Sequence, residues 1–365
     1  MSLHIPQLIR WSLVGMVAVV AGAALGQPAF QSPLTLPSVQ SALASRAPAN
    51  ALAMAGTRLV SAGQRGHILY SDDQGKTWAQ AAVPVSSDLT AIHFVDARHG
   101  WATGHEGVIL HSADSGATWQ VQLDGERAAQ LLVHQYGQPS SPGDASAERL
   151  ARDAATFAKQ GADKPFLDVY FENEREGFAI GAFNLILRTA DGGKSWTPWL
   201  DRVDNPDSLH LYAMRSAAGT LFMVGEQGLV LKLDRAQRRF VRVELPYKGT
   251  LFGVMGTPQM VMVYGLRGNA WRSTDGGATW ARTDSGVNAG LVSGAAGKDG
   301  SMLLASQAGQ LLRSKDQGAT FDRVPLGRVA PVFALATSTA QGVALAGPDG
   351  VRMEWLKDKE TNRAQ

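Results

Sequence analysis

Tyr170 and Tyr212, taken with an acid such as Glu226, are residue types from which a glycoside hydrolase can be built. A tyrosine becomes a nucleophile when a neighbouring carboxylate takes its proton, an aspartate can then act as general acid, and a set of arginines can clamp a carboxylate on the sugar. The chain has only six tyrosines, and no motif in it assembles the arginine clamp. The reading is therefore a non-enzyme, with a glycoside hydrolase as the alternative. His105 and Glu106 are adjacent, and His67 lies in a matching segment, but no His-x-His or His-x-x-x-His pair occurs. That spacing lacks a zinc signature, so neither a metal nor another cofactor is expected. The absence of cysteine excludes disulfides, zinc thiolates and cysteine nucleophiles, and it also argues against a lipid-bearing cysteine after a signal sequence.

Binding chemistry is better represented. Lys232, Arg235, Arg238, Arg239 and Arg242 crowd one stretch of the chain. Such a cluster can sit as a solvated hairpin, or it can dock an acidic partner or lie close to anionic lipid. With a net charge of only +2, no global basic field points to nucleic acid.

These side chains must be positioned by a repeat. Gly-x-x-Gly, an apolar strand and Ser-x-Asp-x-Gly-x-Thr-Trp recur along the chain. The aspartate and aromatic positions are Asp73 and Trp78, Asp114 and Trp119, Asp191 and Trp196, Asp275 and Trp280, and Asp316 with Phe321. A degenerate copy follows Gly225 and Gly228, and a last one begins at Gly347. The copies start at 63, 104, 181, 225, 265, 306 and 347, at intervals of 41, 77, 44, 40, 41 and 41. A unit of roughly 40 residues holds four short strands, which is one propeller blade. The fold class is therefore all-β, a seven-bladed β-propeller of four-stranded blades closed by Asp-box hairpins. In each box the aspartate can accept backbone N–H groups of its own turn, the glycine allows positive φ, and the aromatic ring packs between blades.

The boxes resemble the BNR/Asp-box repeats of sialidases, of sortilin-like receptors and of the photosystem II stability/assembly factor family. The strings Gly-Trp-Ala-Thr-Gly-His-Glu-Gly-Val-Ile-Leu-His-Ser (100–112) and Gly-Phe-Ala-Ile-Gly-Ala-Phe-Asn-Leu-Ile-Leu-Arg-Thr (177–189) are most similar to the last group. That resemblance implies a non-catalytic propeller of the periplasm or thylakoid lumen, which binds a membrane or envelope protein subunit during assembly. It also implies an arginine-rich surface, which the 232–242 cluster resembles. Sialidases usually carry their first arginine in an Arg-Ile-Pro string, and this chain has none. A sugar or other small ligand in the channel is a further alternative.

The remaining segments are assigned around this frame. Residues 1–26 read as a signal peptide cleaved near Gly26, because the apolar run Trp11–Leu25 is short for a span, which needs roughly 20 residues. Residues 27–48 form an N-terminal segment whose stretch Leu34–Gln40 is expected to supply the missing fourth strand of the last blade. The propeller itself covers 49–356, and 357–365 is a polar tail. The long second interval marks an insertion at 126–165, where Ala147, Leu150, Ala151, Ala154, Phe157 and Ala158 repeat at helical spacing. That helix either packs on the propeller rim or forms an arm over the channel mouth. The turns between second and third strands carry Arg65, His105, Glu106, Phe183 and Arg267, and they share a face with the insertion. With the arginine cluster, these are the candidate contact residues.

Overall fold

The computed structural model describes residues 31–139, 143–297, 299–338 and 342–356. The proposed signal peptide and polar tail lie outside them. Seven antiparallel sheets follow one another along the chain, at 49–80, 89–123, 166–198, 211–242, 251–283, 291–324 and 334–355. Within every sheet the strands stand in sequence order, first strand innermost. First strands of neighbouring blades pack side by side, and that of blade 7 meets that of blade 1, so the sheets form a closed ring of seven. Second strands such as Gly100–Gly104, Gly177–Gly181 and Met302–Ser306 are buried along their whole length. They are covered on both faces by neighbouring blades, which explains their unbroken runs of small and apolar residues.

Each Asp box ties its hairpin with the same four contacts. In blade 2 the Ser112 hydroxyl donates to Asp114 Oδ1 at 2.8 Å, and Gly116 N donates to Ser112 Oγ at 2.9 Å. Thr118 donates its amide to Oδ1 at 2.9 Å and its hydroxyl to Oδ2 at 2.6 Å. The pattern recurs at Asp73, Asp191, Asp275 and Asp316. In blade 1 the hydroxyl and amide of Thr77, with the Ser71 hydroxyl, hold the Asp73 carboxyl down at about 2. Trp119 and Trp196 are buried, and each meets a phenylalanine edge-on, Phe94 and Phe171 respectively. Trp78, Trp280 and Phe321 are half-buried.

In blades 1 to 5 the Gly-x-x-Gly segments are single 3-10 turns between second and third strands. Gly104 is required by close approach: a Cβ there would lie 2.3 Å from the Asp88 carbonyl oxygen. Gly107 is required by its φ of +63° and by Gly125, which a Cβ would meet at 2.6 Å. Asn184 takes this second glycine position in blade 3 with φ of 60°. Its carboxamide is buried and accepts from Asn205 Nδ2 at 3.0 Å, so here a polar side chain fills the space that glycine leaves elsewhere.

The last blade differs from expectation. It has three strands among the described residues, and Leu34–Gln40 is not one of them. Ser38 N instead donates to Val83 O at 3.0 Å, and Gln40 Nε2 to Ala81 O at 3.1 Å, so the segment runs along the exit of blade 1. Pro37 inside the stretch has no N–H to offer a strand ladder, and the hydrogen bonds the segment does make go to blade 1. Closure comes from side chains: Leu59 of blade 1 is buried with Ala336 and Ala344 of blade 7, beside Leu52, Met54, Val351 and Met353.

The insertion is two helices, α1 (Gly125–Tyr136) and α2 (Ala145–Gln160). Asp124 caps α1 by accepting Arg127 N at 2.9 Å, and Asp144 caps α2 through Ser146 N at 2.9 Å. Ala128, Leu132 and Tyr136 of α1 and Ala154 and Phe157 of α2 are buried in one cluster with Trp199 and Leu200. Gln135 Nε2 donates to Pro198 O at 3.0 Å, and the Tyr136 hydroxyl donates to Asp201 at 2.5 Å. The insertion therefore packs onto the outer edge of blade 3, which is the rim arrangement.

Candidate partner-binding surfaces

The candidate contact residues separate into two sets. Arg65, Glu106, Phe183 and Arg267 sit at the tips of their 3-10 turns, with φ of 55°, 53°, 55° and 56°. His105 is exposed beside Glu106. This loop face also carries the start of α1, since Gly125 abuts Gly107. Phe183 is 48% exposed, stacks edge-on against His210 at 4.5 Å and lies 5.3 Å from the Lys164 ammonium.

Arg235, Arg238 and Arg239 lie at the other end of the blade. In blade 4 the third strand Val230–Asp234 runs from the loop-face turn to the hairpin that carries Arg235 and Arg238, so its own length separates these from the turn tips, while Arg242, opposite Leu231 in the ladder, sits nearer the loop face. Five residues of strand span roughly 17 Å. Lys232 is drawn inward and donates to Gly276 O at 2.9 Å. Arg235 pairs with Glu172 of blade 3. Arg238 and Arg239 are exposed and Arg242 is half-buried, and none of the three has a carboxylate partner among the described residues. Where the fourth Asp box has decayed, Asp234 accepts Gln237 N at 2.9 Å, and Arg238 takes the positive-φ position with φ of 53°.

Two blades and the insertion extend this cluster into a seam. Arg188 and Arg202 flank the buried Trp199, their guanidinium carbons 5.4 and 5.3 Å from its ring. Arg188 pairs with Glu176 at 2.9 Å. A hollow of about 300 Å³ is lined by Glu172, Glu176, Arg188, Trp199, Arg235 and Arg238. A second, of about 550 Å³, lies between the insertion and blades 3 and 4, with Arg149, Asp201, Asp204 and Arg239 among its walls. Sequence reasoning missed Arg149, Arg188 and Arg202 because they come from other elements, and only the blade packing brings them to Arg238 and Arg239.

The tyrosines, Glu226 and an arginine clamp are not brought together in the channel among the described residues, although the Glu226 charge does reach Tyr212. Tyr170 and Tyr212 both have their hydroxyl pKa raised, chiefly by burial, which is the wrong direction for a nucleophile. Glu226 is engaged at the loop face, accepting His210 N at 2.8 Å. Arg215 is the one arginine lining the central cavity among the described residues, so no triad forms there. For metal chemistry, His67, His105 and Glu106 do not converge. Among the described residues, the groups that do are Asp96, His99 and Glu174, whose ligand atoms lie within 4.8 Å of one another. His99 Nδ1 is 2.9 Å from Asp96 and 3.7 Å from Glu174, so the two carboxylates share one imidazole at the surface. They come from equivalent turns of blades 2 and 3, a pairing that sequence spacing does not show.

Comparison with known proteins fits this architecture. A sequence model of the family described as photosynthesis system II assembly factor YCF48 matches residues 70–134 and 155–321, well over half of the chain. The chain belongs to that family. The photosystem II assembly lipoprotein Ycf48 of Synechococcus sp. (strain CC9902) is 23% identical over 162 residues, covering 43% of this chain and 48% of the relative. The chain thus spans about half the length of that curated relative. A solved structure described as YCF48 bound to D1 peptide superposes with a TM-score of 0.60 at 18% identity, covering 92% of this chain and 100% of the other. YCF48 from Cyanidioschyzon merolae gives 0.59 at 16%, covering 88% and 98%. The WD40 propeller of Doa1 gives 0.59 at 6%, covering 90% and 98%, so the structural likeness at this level speaks for the fold alone. No helix among the described residues is long and apolar enough to cross a membrane.

Proposed function

We propose that this YCF48-family propeller is an exported, non-catalytic holder of a membrane-protein subunit, working in the periplasm, or in a thylakoid lumen if its host has one. The contact surface is the arginine seam between blades 3 and 4. One observation carries the assignment: Arg238, Arg239 and Arg242 have no carboxylate partner among the described residues, and Arg238 lines a hollow with Arg188 and Trp199 while Arg239 lines one with Arg149. Burying unpaired charge costs free energy, and Arg238, Arg239 and Arg242 are available to an acidic segment without first breaking an ion pair among the described residues. Arginine also suits this work because its planar fork takes a carboxylate in two hydrogen bonds. The relative solved with a D1 peptide supports a membrane-protein client as the class of partner.

The test is site-specific photo-crosslinking in detergent-solubilised membranes of the host. A photoreactive residue at position 238 or 239 is expected to give a discrete adduct with a membrane protein. The same residue at position 76, on the Asp box of blade 1, is expected to give none. Adducts from position 76 alone, or from a photoreactive residue at 183 on the loop face alone, would remove the seam as the contact surface.

A further inference from the structure

The ring encloses a cavity of about 380 Å³, lined by the first strands of all seven blades. Most of this lining is small or apolar: Ala51, Ala53, Ala91, Ala213, Gly253 and Ala334 are representative. One ion pair interrupts it. Asp168, 4% exposed, accepts Met214 N at 2.8 Å and Arg215 Nη1 at 2.5 Å through the same oxygen, Oδ2. Arg215 Nη1 also donates to Met214 O. Nothing else among the described residues accepts from Arg215, so its Nε and Nη2 hydrogens are unspent. The side chain is 40% exposed, and it lines the cavity.

The Nε–Nη2 edge is the side of a guanidinium that matches both oxygens of a carboxylate. Tyr212, Phe252, Tyr264 and Phe333 provide aromatic surface around the same space. His93 donates from Nε2 to Phe171 O at 3.0 Å, and its ring lies 4.7 Å from Tyr170. Burial, with Arg215 nearby, pulls its pKa down to about 4, so at neutral pH it adds no second cation. Packing alone does not call for a charge here, because an internal ion pair replaced by apolar side chains is often no less stable. The cavity lies within the size range of small-ligand sites. We infer that the channel binds a small carboxylic acid with an apolar body, its carboxylate held by the Nε–Nη2 edge of Arg215 and its body against the aromatic wall.

This site is separate from the arginine seam, so the two proposals stand or fall independently. The probe is benzoate, with benzamide as its uncharged isostere, titrated against the chain from residue 27 onward by ligand-observed NMR. Benzoate is expected to bind at least about tenfold more tightly than benzamide, since a charge-assisted pair is roughly twice as strong as a neutral one. Arg215→Lys keeps a cation beside Asp168 but removes the fork, and is expected to weaken benzoate about tenfold with little change in melting temperature. The variant R238E/R239E/R242E is expected to bind benzoate like the unaltered chain. Equal binding of benzoate and benzamide would overturn the proposal, and that comparison needs no variant to fold. Loss of benzoate binding in the seam variant would overturn it too, by placing the anion outside the channel.

Discussion

Reversing Arg238, Arg239 and Arg242 to glutamate is expected to abolish client capture while leaving the propeller folded. The three guanidiniums have no carboxylate partner among the described residues, so their loss breaks none of the ion pairs described there. Arg235 is left in place because it is tied to Glu172 across the blade 3–4 boundary. A single exposed pair contributes roughly 0.2–1 kcal/mol. Three reversals remove three such contacts and add three repulsions, so a loss on the order of 2–4 kcal/mol, about 30- to 1000-fold in affinity, is expected. Much of it should appear as a slower association rate, and the difference between the two proteins should shrink as salt rises. The comparison variant is R65E/R267E, two reversals at loop-face turn tips. Pull-down from solubilised membranes, with circular dichroism to confirm folding, reads the result. Retained capture by the triple variant together with loss in R65E/R267E would move the contact to the loop face.

The second large effect is on stability. Trp101→Ala is expected to cost roughly 3–5 kcal/mol, as large-to-small changes of buried tryptophan do. Trp101 is 1% exposed and stacks on Phe171 with ring centroids 3.5 Å apart and planes 8° from parallel. The two rings belong to blades 2 and 3, so the deletion opens a void at an inter-blade contact rather than within one sheet. A loss of that size lowers the melting temperature by about 5–8 °C in a domain of this length. Trp101→Phe should cost much less, because it keeps an aromatic face and removes an indole N–H that is buried without an acceptor. Thermal unfolding of the two variants checks the order; near-equal melting temperatures for both and the parent would show that the stack contributes little.

The ring was legible in the sequence because each blade repeats its hairpin chemistry. Asp73, Asp114, Asp191, Asp275 and Asp316 each accept both the amide and the hydroxyl of the residue four positions on, a local pattern that spacing alone reveals. Helix α2 was legible from its apolar period. Helix α1 was passed over, although Asp124 at its cap and the apolar Ala128, Leu132 and Tyr136, four residues apart, marked it. The expectation for Leu34–Gln40 fails because a three-stranded last blade invites a fourth strand, whereas the segment's hydrogen bonds to Val83 and Ala81 tie it to blade 1. The candidate surface was only half legible. Arg235 to Arg242 are neighbours in sequence, but Arg149, Arg188, Arg202 and the Asp168–Arg215 pair meet their partners across blades. Arg65, Phe183 and Arg267 lie at one end of their blades and Arg235, Arg238 and Arg239 at the other, because a strand has two ends.

Hydrogen–deuterium exchange of the propeller, free and with its captured client, tests the central claim most directly. The account predicts slowed exchange at 199–206 and 235–242, on the seam between blades 3 and 4, with the turn tips at 65, 106 and 267 unchanged. Slowed exchange at those tips, with the seam unaltered, would contradict it.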